Sequence, residues 1–229
     1  MRVEKFAGAT VCLAGGQSGR GDGDGALVVL LHGFGAPGRD LVDLATRVPA
    51  PRATRFAFPA APIELGGEHS RAWWLIDVVG LQIAVASGRR KEVCESDPPG
   101  LSQARAFLDA VLEDLLQREG ASTLYLGGFS QGAILACDYA LSSPRSLSGL
   151  ALFSVLPLAE PRWTRALASR KGLRVYQSHG RLDPVLPFEE AERWAGVMRS
   201  AELDVAWQPF VGAHGIPPTV CESFGRFLG

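Results

Sequence analysis

Short runs of mostly apolar residues recur along the chain, separated by longer segments with helical periodicity. Residues 123–126, 150–155, 173–178 and 205–210 have strand length, and residues 26–31 form a continuous β-rich apolar run. A strand buried on both faces reads this way, so these runs predict the central strands of a parallel sheet. Residues 11–13 and 55–58, the latter closed by Pro59, add two shorter strands. Between them, residues 101–118 place Leu101, Ala104, Leu108, Val111, Leu112 and Leu115 at helical spacing, which predicts an amphipathic helix. Shorter helices are predicted over 41–48, 133–141, 188–199 and 218–227. Alternating strands and helices predict an α/β fold, a mostly parallel central sheet with helices on both faces, in a single domain spanning 1–229.

Two segments depart from this rhythm. Residues 15–25 are rich in glycine but have neither a phosphate-loop lysine nor a helix behind them, so they predict a flexible hairpin loop and no nucleotide cradle. Residues 72–99 contain Trp73, Trp74 and a long apolar stretch to Val85, followed by a polar tract. This segment is the candidate lid and pocket wall, with Trp73, Trp74, Leu81 and Ile83 as candidate lining residues; ordinary core packing is the competing reading for all four. Arg89, Arg90 and Lys91 read as a solvated turn.

Composition narrows the function classes. The 229 residues are 47% hydrophobic and 21% charged with a net charge of −1, ordinary for a globular enzyme and without the basic stripe of a nucleic-acid binder. No apolar run reaches the roughly 18 residues of a membrane span, so stable membrane insertion is not expected. The first residues carry Glu4 and no continuous apolar stretch, unlike a secretory leader. Cys12, Cys94, Cys137 and Cys221 lack metal-ligand spacing and are expected as free thiols in a reducing, cytoplasmic setting. Neither a metal nor a cofactor is implied. Exposed apolar residues within 72–85 would offer a surface for a homodimer.

The chemistry concentrates at the strand ends. Gly128-Phe129-Ser130-Gln131-Gly132 follows a predicted strand and precedes a predicted helix. That arrangement is the nucleophile elbow of the α/β-hydrolase fold, in which the flanking glycines avoid collisions with the neighbouring strand and helix. Another strand runs into His32-Gly33-Phe34-Gly35, where this fold places a backbone oxyanion donor. Asp183 and His214 each follow a later strand, so Ser130, Asp183 and His214 occur in the chain order of this fold. A serine hydroxyl needs a neutral imidazole to take its proton, and that imidazole needs a carboxylate to hold its tautomer. Backbone N–H groups of Phe34 and Gln131 are the expected oxyanion donors, which leaves their side chains comparatively free to vary. Asp138, mid-helix, and Asp204, at a strand start, are poorly placed as the acid. His32 and His179 read as satisfied structural histidines, and His69 as a solvated one.

These motifs, with Arg71-Ala72-Trp73-Trp74 and the run from His179-Gly180 through Asp183-Pro184-Val185 to Pro187, resemble the phospholipase/carboxylesterase family, which includes the acyl-protein thioesterases. The resemblance extends over residues 26–216. It implies a serine esterase that acts on carboxylic esters without a cofactor, with a small-molecule ester as its partner. The apolar lid segment favours short-to-medium acyl groups. A thioesterase or a lysophospholipase with the same triad is the alternative. A non-catalytic binding protein of the same fold is disfavoured because all three triad members are present. Many relatives carry an acidic residue directly after His-Gly-x-Gly, where this chain has Ala36-Pro37-Gly38. That departure separates it from close acyl-protein thioesterases and leaves the chemistry unaffected.

Overall fold

The computed structural model describes residues 1–66 and 69–229. The chain enters through β1 (Arg2–Phe6), β2 (Ala9–Gly16) and β3 (Arg20–Asp22), then passes inward to β4 (Leu27–Leu31). After the short α1 (Leu44–Arg47) and β5 (Arg55–Pro59), a small hairpin of β6 (Ile63–Glu64) and β7 (Arg71–Ala72) leads to two helices, α2 (Val78–Ala86) and α3 (Arg90–Glu95). The rest alternates: α4 (Leu101–Glu119), β8 (Leu124–Phe129), α5 (Gln131–Ser142), β9 (Gly149–Phe153), α6 (Glu160–Leu167), β10 (Arg174–Gly180), α7 (Phe188–Ser200), β11 (Asp204–Phe210) and α8 (Pro218–Leu228).

One sheet, in the order β1-β2-β5-β4-β8-β9-β10-β11 with β3 attached to β2, organises the molecule. From β5 to β11 every pairing is parallel, while β1 and β2 add an antiparallel edge. Burial on two faces explains the continuous apolar run of β4. Leu27, Val29 and Leu31 enter one core layer with α4, α5, α6 and α7, and Val28 and Leu30 enter the opposite layer with α1 and α8. The amphipathic helix predicted over 101–118 is α4, with all six of its periodic apolar positions buried. It stops at Gly120, whose φ of 60° is left-handed and whose N–H closes onto Leu116 O.

Two expectations change. The glycine-rich stretch is not a free loop, because Gly15 and Gly16 end β2 and Arg20–Asp22 pairs alongside them. Arg89 precedes α3 and Arg90 and Lys91 open it, so the basic triplet is solvated as expected but leads into a helix rather than a turn, with the three side chains near Glu92, Glu189 and Glu95. The 72–99 segment contains two helices, and none of the described side chains of α2 is buried. Asp77 caps α2 by accepting the Gly80 N–H at 2.8 Å. All four cysteines are buried free thiols. Among the described residues no helix is long and apolar enough to cross a membrane.

Candidate active site

The turn between β8 and α5 is built from close backbone packing. Ser130 holds φ 54° and ψ −116°, a conformation side-chain-bearing residues rarely adopt. Its N–H donates to Phe153 O at 2.9 Å and its carbonyl accepts the Ile134 N–H at 3.1 Å, so strand and helix both grip the strained residue. A Cβ on Gly128 would overlap the Gly132 backbone, and one on Gly132 would overlap the carbonyl oxygen of Leu31 in β4. Both glycines are therefore required for β4, β8 and α5 to approach this closely.

Asp183 and His214 meet across two loops. His214 Nδ1 lies 2.6 Å from Asp183 Oδ2, and the Asp183 side chain is fully buried. Asp183 Oδ1 accepts the N–H groups of Val185 and Leu186 at 2.8 and 2.9 Å. Burial pushes the Asp183 carboxyl up. Hydrogen bonds from His179, His214 and the Leu186 N–H outweigh burial and hold it well below the usual carboxylate range. The carboxylate is thus ionised, and the His214 proton sits on Nδ1, leaving Nε2 free to accept. The His214 ring also packs against Phe129, with ring centroids 4.6 Å apart.

Ser130, Gln131, Phe34 and His214 all open onto one cavity of about 730 Å³. The N–H groups of Phe34 and Gln131 have no hydrogen-bond partner among the described residues. Ile134, Leu156 and Leu158 give it apolar lining, as do Leu81 and Ala84 of α2 and Val93 of α3. The cavity can therefore hold an apolar chain next to a serine, an imidazole and two backbone donors unpaired among the described residues.

Of the four candidate lining residues, Trp74 and Leu81 face the cavity, whereas Trp73 and Ile83 do not. Trp74 reaches the cavity while Trp73, beside it in the bend after β7, does not. The Trp73 indole N–H donates to His32 O at 3.0 Å. Leu81 and Ile83 are two positions apart on a helix, about 200° around its axis, and Ile83 is left 56% exposed.

The histidine and aspartate alternatives also resolve. His32 donates from Nδ1 to Gly33 O at 2.8 Å and accepts the Ala61 N–H at Nε2 at 3.0 Å, a structural role. Asp138 is buried among Trp163, Arg105 and Arg162, away from the cavity. Gln131 departs from expectation, because its buried side chain is committed. It accepts the Trp73 N–H at 3.0 Å and donates to Trp74 O at 2.7 Å, tying the elbow to the segment that supplies Trp74. No local sequence signal distinguishes such a bridge, since its partners lie nearly sixty residues upstream. His179 is likewise more than a satisfied core residue, since its Nε2 lies 3.2 Å from Asp183 Oδ2.

The chain is similar to several known proteins. The chain is 31% identical to acyl-protein thioesterase 1 of Eremothecium gossypii, over 72% of this chain and 68% of that protein. It is 27% identical to acyl-protein thioesterase 1 of Mycosarcoma maydis, over 76% of each. The crystal structure of esterase PE8 superposes with a TM-score of 0.75 at 28% identity, covering 94% of this chain and 95% of that one. A carboxylesterase from Mesorhizobium loti, at 18% identity, shares the fold with a TM-score of 0.77 over 100% of this chain and 99% of its own. The family model for phospholipase/carboxylesterase matches residues 20–229, so the chain, an α/β-hydrolase by its sheet and its elbow, belongs to the phospholipase/carboxylesterase family.

Proposed function

We propose that the protein is a serine carboxylesterase for short-to-medium acyl esters. The observation that carries this reading is the 2.6 Å Asp183–His214 hydrogen bond beside a cavity that His214 shares with the strained Ser130. In this mechanism Ser130 Oγ attacks the ester carbonyl while its proton passes to His214 Nε2. The tetrahedral oxyanion accepts the N–H groups of Phe34 and Gln131, each worth about 3 kcal/mol of barrier in comparable sites. Collapse breaks the acyl–oxygen bond, and the leaving alcohol takes the proton from His214. A water then gives its proton to His214 and attacks the acyl-serine, releasing the acid and restoring Ser130. Asp183 stabilises the imidazolium at each stage without itself being protonated.

The acyl chain would lie between Leu81 and the Ile134, Leu156 and Leu158 wall. A cavity of about 730 Å³ falls within the range for small-molecule sites, roughly 300–1,000 Å³. Thioester hydrolysis is the second reading, favoured by the acyl-protein thioesterase relatives; it uses the same residues with a sulfur leaving group.

The test is hydrolysis of p-nitrophenyl esters of increasing acyl length by wild type and Ser130→Ala. The expected outcome is activity peaking at short or medium chains and falling by about a millionfold in the variant. Comparable turnover in a folded Ser130→Ala protein would overturn the assignment of the nucleophile.

A further inference from the structure

His179, next to last in β10, is fully buried and outside the cavity lining. Its Nε2 is 3.0 Å from Leu186 O and 3.2 Å from Asp183 Oδ2. Both neighbours are acceptors, so the hydrogen-bond network assigns the proton to Nε2. Nδ1 has no partner among the described residues. A doubly protonated ring would bury an unmet N–H donor there, whereas the neutral ring leaves only a lone pair unmet, at smaller cost. His179 is therefore a neutral Nε2–H donor.

Its contribution differs in kind from that of the backbone donors. Val185 and Leu186 both grip Oδ1, which leaves Oδ2 to His214 and His179 alone among the described residues. Leu186 closes a cycle: its N–H binds Asp183, and its carbonyl shares the proton of His179. Three donors thus bind the carboxylate directly, and the His179 Nε2–H, which donates to Leu186 O, lies close enough to Oδ2 at 3.2 Å to share its proton with it. We propose that His179 is a positioning residue, holding Asp183 Oδ2 onto His214 and taking up part of its negative charge. The inference rests on the esterase reading for its kinetic consequences, though not for the geometry.

The charge surroundings are simple. From the acid loop, Arg181 turns away to lie over the Phe188 ring, 4.7 Å from its centroid. From α7, Phe188 presents its ring edge to His179, while Glu189 and Glu190 pair with Arg90 and Arg193. From the loop after β11 comes His214, and from the elbow come Phe129 and Ser130. Removing the His179 donor therefore leaves Asp183 with His214 as its only titratable partner among the described residues. The carboxylate then attracts the His214 imidazolium more strongly, and it pivots more freely. The first effect moves the acid limb of kcat/KM to higher pH, and the second lowers kcat.

The experiment compares wild type, His179→Phe, His179→Gln and Ser130→Ala. Gln places an amide donor where Nε2 stood; Phe does not. Kinetics on a p-nitrophenyl ester across pH are paired with the low-field proton NMR resonance of the His214–Asp183 hydrogen bond, which needs no turnover. In His179→Phe, kcat falls about ten- to a hundredfold, KM stays within about twofold, the acid limb rises and the resonance shifts. Gln restores most of each change. If Phe does not fold, His179→Asn, whose amide is too short to reach Oδ2, takes its place. Wild-type kcat, acid limb and resonance in Phe or Asn would overturn the proposal. So would equal losses in Phe and Gln that track thermal stability with no shift of the limb. A wild type inactive on every ester would sink the esterase reading instead, and the resonance would still decide the role of His179.

Discussion

The elbow at Ser130 and the α2–α3 cover are the two sides of one cavity, and they are held in very different ways. Every residue of α5 except the last is buried, and glycines at 128 and 132 let β4, β8 and the helix meet at distances no side chain could share. By contrast, α2 buries none of its described side chains and leaves Val79 and Ile83 65% and 56% exposed, with Leu75 just before it at 67%. The cover is anchored mainly at its α3 end, through buried Cys94, the Ala159 N–H to Ser96 O bond and the Arg162–Asp97 pair. Rigid packing keeps the candidate nucleophile in a strained conformation. A lightly packed cover has low local stability and can change its lining without disturbing the sheet. On the proposed esterase reading, reaction type and substrate preference would fall to regions with different tolerance to mutation.

Asp183→Asn should break the rigid side most severely. An amide at 183 favours the wrong imidazole tautomer, and kcat should fall about ten-thousandfold with KM little changed, measured by steady-state kinetics. The same variant has a signature in stability. The folded-state carboxyl lies below its unfolded value, so its contribution is fully present above the unfolded value, about 4, and is lost as pH falls from there. Denaturant titrations of wild type and variant should therefore differ most at neutral pH and converge below about pH 4.

Gln131→Ala tests the link between the two sides. It removes two hydrogen bonds and leaves the Trp73 N–H and Trp74 carbonyl unmet, at a cost of about 2–4 kcal/mol in chemical denaturation. Preserved stability would show that the Trp73–Trp74 segment is held without the elbow. The smallest effects belong to the cover. Leu81→Ala should shift the preferred acyl length upward by changing relative kcat/KM about tenfold across the ester series. Ile83→Ser, two positions away and pointing outward, should leave that profile within about twofold and stability within about 0.5 kcal/mol. Equal responses at 81 and 83 would mean the cover does not form the wall it presents here.

Much of the sheet is legible in the chain because strands buried on both faces produce unbroken apolar runs, as in β4 and β9. The edge strand β1 is not, since Arg2, Glu4 and Lys5 alternate with Val3 and only Phe6 is fully buried. α6 also escapes notice, being eight residues long with Trp163 and Leu167 as its only buried positions. In α2 the β-branched and apolar residues run without a polar face, so periodicity carries no helical signal.

The sequence by itself determined the α/β order, the glycine-flanked elbow and the candidates Ser130, Asp183 and His214, because each depends on residue type and on position relative to a strand end. Tertiary structure alone decided that Trp74 and not Trp73 faces the cavity, that Ile83 points to solvent, and that Gln131 and His179 brace the site. Those outcomes depend on which partners the folded chain brings within hydrogen-bonding distance, often from dozens of residues away, and no local pattern encodes them.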